Sequence, residues 1–204
     1  MSKDFSGQLQ VKRRFNMYPK VQQAAFHFMK LATETEYGSF HTSMACIVFT
    51  AFQYEAALNE IGMAKNVPGW DEGDLRKTLN KENAVYSLCG LVLDRSTDEY
   101  QKIRSAFKAR DLLAHPKPTI IENSVRKFSG NFDEFQDRAD EVGQAHWEQC
   151  ANPHFAKAAF DVVSKVASEL FRAAGIDEGS FSLSEMSVSL KPRVMPKSQT
   201  PRPQ

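Results

Sequence analysis

The segment from Phe40 to Met63 is apolar on nearly every side of a helix, and this pattern constrains the fold more than any other in the chain. A helix that is apolar all round has to be covered on all sides, as in the middle of a helical bundle. Other segments with helical spacing of apolar residues supply the cover, and they span 21–34, 75–93 (with an interruption near Glu82), 96–113 and 155–174. The sequence therefore predicts an all-α bundle of four to five helices.

Length and composition predict one globular domain with extensions. The chain has 204 residues, of which 42% are hydrophobic and 25% charged. We expect an N-terminal arm and short helix in 1–38, a helical domain in 39–175, and a disordered, basic, Ser- and Pro-rich tail in 176–204. No leader peptide or long apolar run is present, which predicts a cytoplasmic protein with no membrane span.

Charge and cysteine content argue against a general high-affinity binder of nucleic acid and against a protein built on disulfides. The formal net charge is only +1, so any affinity for RNA has to come from local basic patches. Three widely spaced cysteines indicate reduced thiols rather than a disulfide framework. His146, Cys150 and His154 have helical spacing, but Pro153 interrupts that helix and a fourth ligand is missing. We therefore expect no metal site and no cofactor.

The chemistry-bearing residues of the chain are Arg110 and His115, which precede Pro116. Arginine offers a rigid fork of N–H donors to two phosphate oxygens, and histidine accepts and donates protons near neutral pH. On a continuous helix these two residues would lie about 140° apart around the axis. Proline disfavours the helical conformation for the residue before it, so the helix is expected to end near Ala114 and to free His115. This pair suits metal-free cleavage of a phosphodiester.

Three further polar residues each have two interpretations. Glu55 and Asn59 lie one turn apart on the apolar helix, where a carboxylate needs a partner. They either contact Arg110 and hold it in position, or form a polar pair in the core whose hydrogen bonds are satisfied. Asp111 either orients Arg110 or His115, or is an ordinary exposed helix residue.

The Arg110–His115 segment resembles the motif of the HEPN domains (higher eukaryotes and prokaryotes nucleotide-binding), in which Arg and a polar residue precede His. Residues 49–62 resemble that family's long early helix, and the likeness covers roughly residues 39 to 175. The resemblance implies a metal-independent endoribonuclease that acts as a homodimer with paired motifs. It also implies a toxin or defence effector with an antitoxin or regulatory partner.

In the reaction expected for such an enzyme, the RNA 2′-hydroxyl attacks the adjacent phosphorus. His115 moves protons, Arg110 binds the nonbridging oxygens, and Asp111 is the third catalytic candidate. Lys108 and Lys117 flank the motif as RNA-binding candidates. The alternative is a non-catalytic dimerisation or regulatory module. In that case Arg110 forms a salt bridge with Asp111 or Asp98, and His115 caps helix carbonyls.

Overall fold

Helices account for most of the described residues in the computed structural model. One antiparallel ribbon pairs a segment near the start of the chain with a segment near its end. The structure describes residues 7–35, 37–70, 72–115, 129–135, 146–178 and 184–192. In chain order the elements are β1 (Gly7–Phe15), α1 (Tyr18–Glu34), α2 (Ser39–Ala64), a 3₁₀ helix (Gly73–Arg76), α3 (Thr78–Leu88), α4 (Asp98–Ala114), α5 (His146–Cys150), α6 (Pro153–Ala173) and β2 (Ser184–Pro192). Residues 132–135 add a helical turn. None of the helices in these ranges is long and apolar enough to cross a membrane.

Helix α2 is the central helix of the bundle, as its all-round apolar pattern predicts. It packs against α1, α3, α4 and α6. The main core cluster joins α2 to its neighbours through buried residues that include Tyr54, Leu58, Ile61, Phe107, Val163 and Leu170. Burying each large aliphatic side chain contributes about 1.5–3 kcal/mol. The all-α prediction is thus confirmed for the body of the protein.

Helix α1 belongs to the same bundle, although the sequence placed residues 1–38 outside the helical domain. The helix begins at Tyr18, and Pro19 lies in its first turn, where a missing N–H costs no helical hydrogen bond. Tyr18 is buried, and its ring meets Phe171 of α6 edge-on at a centroid distance of 4.8 Å. Because Phe171 is distant from Tyr18 in the sequence, the polar composition of residues 1–20 does not predict this contact.

Helix α3 is shorter and more regular than the sequence pattern indicated. It continues through Glu82, where the sequence predicts an interruption, and Glu82 is completely buried. The helix ends at Leu88, and Gly90 follows in the left-handed conformation (φ 67°) that favours glycine. Residues 91–93 therefore lie beyond the helix, and Val92 is exposed.

Strands β1 and β2 form a two-stranded antiparallel ribbon. Gly7 pairs with Pro192 at one end and Phe15 with Ser184 at the other. The predicted disorder of 176–204 is therefore not confirmed, because residues 184–192 form β2. Residues 179–183 and 193–204 lie outside the described residues. The pairing joins segments from opposite ends of the chain, and such long-range pairing leaves no local sequence pattern.

Candidate active site

The two ends of α4 are defined by local chemistry. At its start the Thr97 hydroxyl accepts a hydrogen bond from the Tyr100 N–H at 3.2 Å. At its end the helix stops at Ala114, as the sequence predicts, and His115 leaves the helical conformation with φ −127° and ψ 60°. The His115 N–H still donates to the Asp111 carbonyl at 3.0 Å. The last turn of α4 and the first residue after it therefore carry the motif.

Arg110 reaches across from α4 to α2. Its Nη1 lies 3.3 Å from Oε2 of Glu55, and the two side chains are 18% and 29% exposed. The guanidinium carbon lies 5.0 Å from the ring centroid of Phe107 and 5.6 Å from that of Phe52, which are cation–π distances. Arg110 is therefore held in place and mostly covered, whereas the motif alone placed it at an exposed helix end.

Glu55 and Asn59 both contact α3, but only Glu55 also contacts Arg110. The Thr78 hydroxyl donates to Glu55 Oε1 at 3.4 Å, a long hydrogen bond. Lys81 Nζ donates to Asn59 Oδ1 at 2.7 Å. Glu55 thus bridges α3 and α4, while Asn59 contributes to the packing of α3 on α2.

Lys81 is almost fully buried and its ammonium lies 5.2 Å from the ring centroid of Trp70. The Trp70 ring in turn covers Gly62, where an added Cβ would lie 2.4 Å from ring carbons. Position 62 therefore admits only glycine unless Trp70 moves. This close approach fixes the loop between α2 and α3 behind the Asn59 contact.

Asp111 and His115 are the accessible members of the motif. Asp111 Oδ1 lies 2.9 Å from Arg110 Nε and the side chain is 63% exposed. The Nε–H is not directed at that oxygen, so the buried Nε has no aligned hydrogen-bond acceptor. His115 is exposed, and its imidazole makes no hydrogen bond or ion pair, with Arg110 or with any other residue described here.

The remaining predicted residues contribute less to the site geometry. Lys108 is exposed on α4, whereas Lys117 lies outside the described residues. Asp98, the other suggested partner of Arg110, pairs with Lys102 instead. Within the described ranges no group of three or more His, Cys, Asp or Glu side chains is placed to hold a metal ion.

Sequence reasoning missed the two aromatic rings and the hydroxyl that complete the site. Phe107 precedes Arg110 by three residues and Phe52 precedes Glu55 by three, so helical neighbour spacing was the available signal. Thr78 is 23 residues from Glu55 in the chain, and no local pattern indicates their contact.

A second polar contact of α4 lies near its other end. The Tyr100 hydroxyl donates to Oε2 of Glu82 at 3.1 Å, and Arg95 Nε donates to the Tyr100 oxygen at 3.3 Å. Burial raises the pKa of Glu82, and the Tyr100 hydrogen bond and the charges of Arg104 and Arg95 partly offset that rise. Because Glu82 has no exposed surface, this contact is closed to ligands.

No protein-family model, curated protein or solved structure matches this chain. A function is therefore inferred from the residues of the site and from the resemblance of its motif.

Proposed function

We propose that this protein is a metal-independent endoribonuclease of the HEPN type, with Arg110 and His115 as its catalytic residues. One observation carries the proposal. Arg110 is fixed by Glu55 and two aromatic rings, and the exposed His115 imidazole, which has no hydrogen-bond partner among the residues that the structure describes, follows at the first residue after the same helix. A held guanidinium costs little reorganisation when negative charge develops on a phosphate.

The chemistry needs no group beyond the RNA and these side chains. His115 takes the proton of the 2′-hydroxyl as its oxygen attacks the adjacent phosphorus. Arg110 binds the nonbridging oxygens while charge accumulates on them. The bond from phosphorus to the 5′-oxygen then breaks, and a second, protonated His115 from the partner chain of a dimer gives that oxygen a proton. The products are a 2′,3′-cyclic phosphate and a 5′-hydroxyl, and Lys108 and Lys117 bind neighbouring phosphates.

The proposal includes a homodimer, because one motif supplies one imidazole while the reaction removes one proton and delivers another. A two-fold axis beside the end of α4 brings two Arg110 and two His115 side chains to one phosphate. The resemblance further implies that the enzyme is a toxin or a defence effector, and that an antitoxin or regulatory protein inhibits it.

Incubation of purified protein with total RNA and transfer RNA in EDTA tests the activity. We expect cleavage that leaves cyclic-phosphate ends, no cleavage of a DNA oligonucleotide of matching sequence, and none by His115→Ala. The DNA control lacks only the nucleophile. A strict requirement for Mg²⁺, or full activity in His115→Ala, would contradict the mechanism.

Mixing of variants tests the shared site. Addition of excess His115→Ala chains to wild-type protein should inhibit cleavage as mixed dimers form, and activity should fall steeply on dilution. Analytical ultracentrifugation under the assay conditions provides the control. A monomer with full activity rules out the shared site and leaves a single-chain mechanism.

A non-catalytic interaction module is the second candidate, and the contacts of Arg110 favour it. Carboxylates approach the guanidinium at both Nη1 and Nε, and two rings flank it, so Arg110 also serves as a clamp between α2 and α4. In such a module His115 has no chemical task. Absence of RNA cleavage by the wild-type protein, across total RNA and transfer RNA, would favour this candidate.

A further inference from the structure

The two carboxylates on Arg110 occupy different sides of its guanidinium. An arginine binds a phosphate with two parallel N–H bonds, through its Nη1 and Nη2 or through its Nε and Nη2. Glu55 lies at Nη1 and Asp111 lies at Nε. A carboxylate therefore lies at one nitrogen of each pair, and because Nε carries a single N–H, a phosphate that binds through Nε and Nη2 has to displace Asp111.

Glu55 is the more firmly held of the two. It belongs to the central helix α2, is largely covered, and accepts a second hydrogen bond from Thr78 of α3. Its displacement would separate contacts among three helices. Glu55 is therefore the carboxylate that stays when a ligand arrives.

Asp111 is the more easily displaced. Its side chain is mostly exposed, and Arg110 is its side chain's one hydrogen-bonding or ionic partner among the described residues. The Nε–H is not aligned with it, so the contact is an ion pair without a good hydrogen bond. Exposed ion pairs contribute little to stability, because water and salt screen them. Rotation of the Asp111 side chain toward solvent would remove the carboxylate from Nε at small cost.

We propose that Asp111 is a displaceable counter-ion that closes the Nε–Nη2 edge of Arg110 until an RNA phosphate takes its place, while Glu55 keeps the guanidinium in position. This inference rests on the proposed function and assigns Asp111 a different task from the catalytic role that the sequence indicated. Asp111 sets how tightly the site binds phosphate and moves no proton. Removal of its charge should therefore strengthen binding rather than abolish the reaction.

Binding of a 2′-O-methyl RNA oligonucleotide, measured by fluorescence anisotropy, tests the proposal without cleavage because that RNA has no free nucleophile. We expect Asp111→Asn to bind about fivefold more tightly than wild type at low salt, because a negative charge next to the phosphate is gone. The gain should shrink at high salt. With natural RNA the same variant should show a lower KM and an unchanged kcat.

Asp98→Asn is the matched control. Asp98 also pairs with a basic residue of α4, Lys102, and lies about 20 Å from Asp111 along the helix. Its substitution should leave the affinity within about twofold of wild type, since the Coulomb energy of two charges in water is small at that distance. An equal gain in Asp98→Asn would show a general charge effect and overturn the proposal.

A double variant separates the counter-ion role from general repulsion. In an Arg110→Gln background, which removes the guanidinium and its charge but keeps a polar side chain, Asp111→Asn should no longer tighten binding. Unchanged or weaker binding in the single Asp111→Asn variant, no binding by any variant, or the same gain without Arg110 would each overturn the proposal. Tighter binding in a protein that cleaves no RNA would support the counter-ion role while contradicting the ribonuclease.

Discussion

Helix α4 carries a polar contact near each end, and the two differ most in their access to solvent. Near its start Tyr100 donates to Glu82, and both side chains are buried. Near its end Arg110 contacts Glu55, while Asp111 and His115 remain open to solvent. In both places a side chain of α4 meets a carboxylate of a neighbouring helix.

The comparison shows that a charged contact between helices indicates function only where a ligand can reach it. A fully buried carboxylate must keep its partners, because loss of one leaves an unpaired polar group in the core. A half-exposed pair can exchange a partner for a ligand at small cost. This difference favours a structural role for Glu82 with Tyr100 and supports the function proposed above for the Arg110 end of α4.

Arg110→Ala should change both the rate of RNA cleavage and the stability of the protein. RNA cleavage should fall about 10²–10³-fold, because the phosphate loses its main donor. The free energy of unfolding should also fall by about 1–2 kcal/mol, since the Glu55 and ring contacts are lost. Initial rates and urea unfolding measure the two effects. Wild-type rates in a folded Arg110→Ala protein would remove Arg110 from the mechanism.

Glu82→Ala should affect stability most. We expect the free energy of unfolding to fall by about 3 kcal/mol, because a cavity forms and the Tyr100 hydroxyl loses its acceptor. Glu169→Ala, on the exposed face of α6, is the control and should change it by less than about 0.5 kcal/mol. Urea unfolding of both proteins provides the comparison, and a loss below 1 kcal/mol, on the order of one ordinary hydrogen bond, would contradict a structural role for Glu82.

The pH dependence of stability should carry the signature of Glu82. Because burial raises its pKa above the ordinary value of 4.5, the folded protein binds this proton more tightly than the unfolded chain does. The resulting stabilisation is complete below pH 4.5 and is lost as pH rises through the folded-state pKa. Glu82→Gln has no such proton, so wild type should lose stability relative to Glu82→Gln as pH rises from acid. Parallel urea-unfolding curves across this range would contradict the raised pKa.

Deletion of the chain from residue 179 onward should have the smallest effect. It removes β2 and leaves β1 without its partner, while every helix of the bundle precedes the deleted residues. We expect the free energy of unfolding to change by less than about 1 kcal/mol, because an isolated two-stranded ribbon is marginal. Deletion from residue 193, which keeps both strands, is the control. Unfolding of the bundle in the longer deletion would show that the ribbon supports it.

Local signals in the sequence predicted the helices and several of their ends. The all-round apolar pattern of α2 identified the central helix, and Pro116 located the end of α4 at Ala114. Thr97, a residue type that favours the position before a helix, caps α4. These features depend on residues a few positions apart, where steric and hydrogen-bonding rules apply directly.

Contacts between distant segments could not be predicted from the sequence. Glu82 is buried against Tyr100 of another helix, and the sequence does not show this contact. The charged Glu82 therefore predicts an interruption at a point where α3 is continuous. The rings around Arg110 and the hydroxyl of Thr78 on Glu55 likewise require the packed bundle. A motif thus suggests candidate residues, while the fold determines which of them are held and which are accessible.

The central claim is that α4 makes a structural contact near its start and carries the proposed catalytic site at its end. A paired measurement on His115→Ala and Tyr100→Phe tests this claim most directly. Each protein is assayed for RNA cleavage in EDTA and for urea unfolding. We predict that His115→Ala loses cleavage by about 10²–10⁴-fold with stability within about 0.5 kcal/mol of wild type. Tyr100→Phe should lose about 1–2 kcal/mol and keep its cleavage rate per folded molecule. Wild-type cleavage by His115→Ala, or a loss of cleavage confined to Tyr100→Phe, would contradict the account.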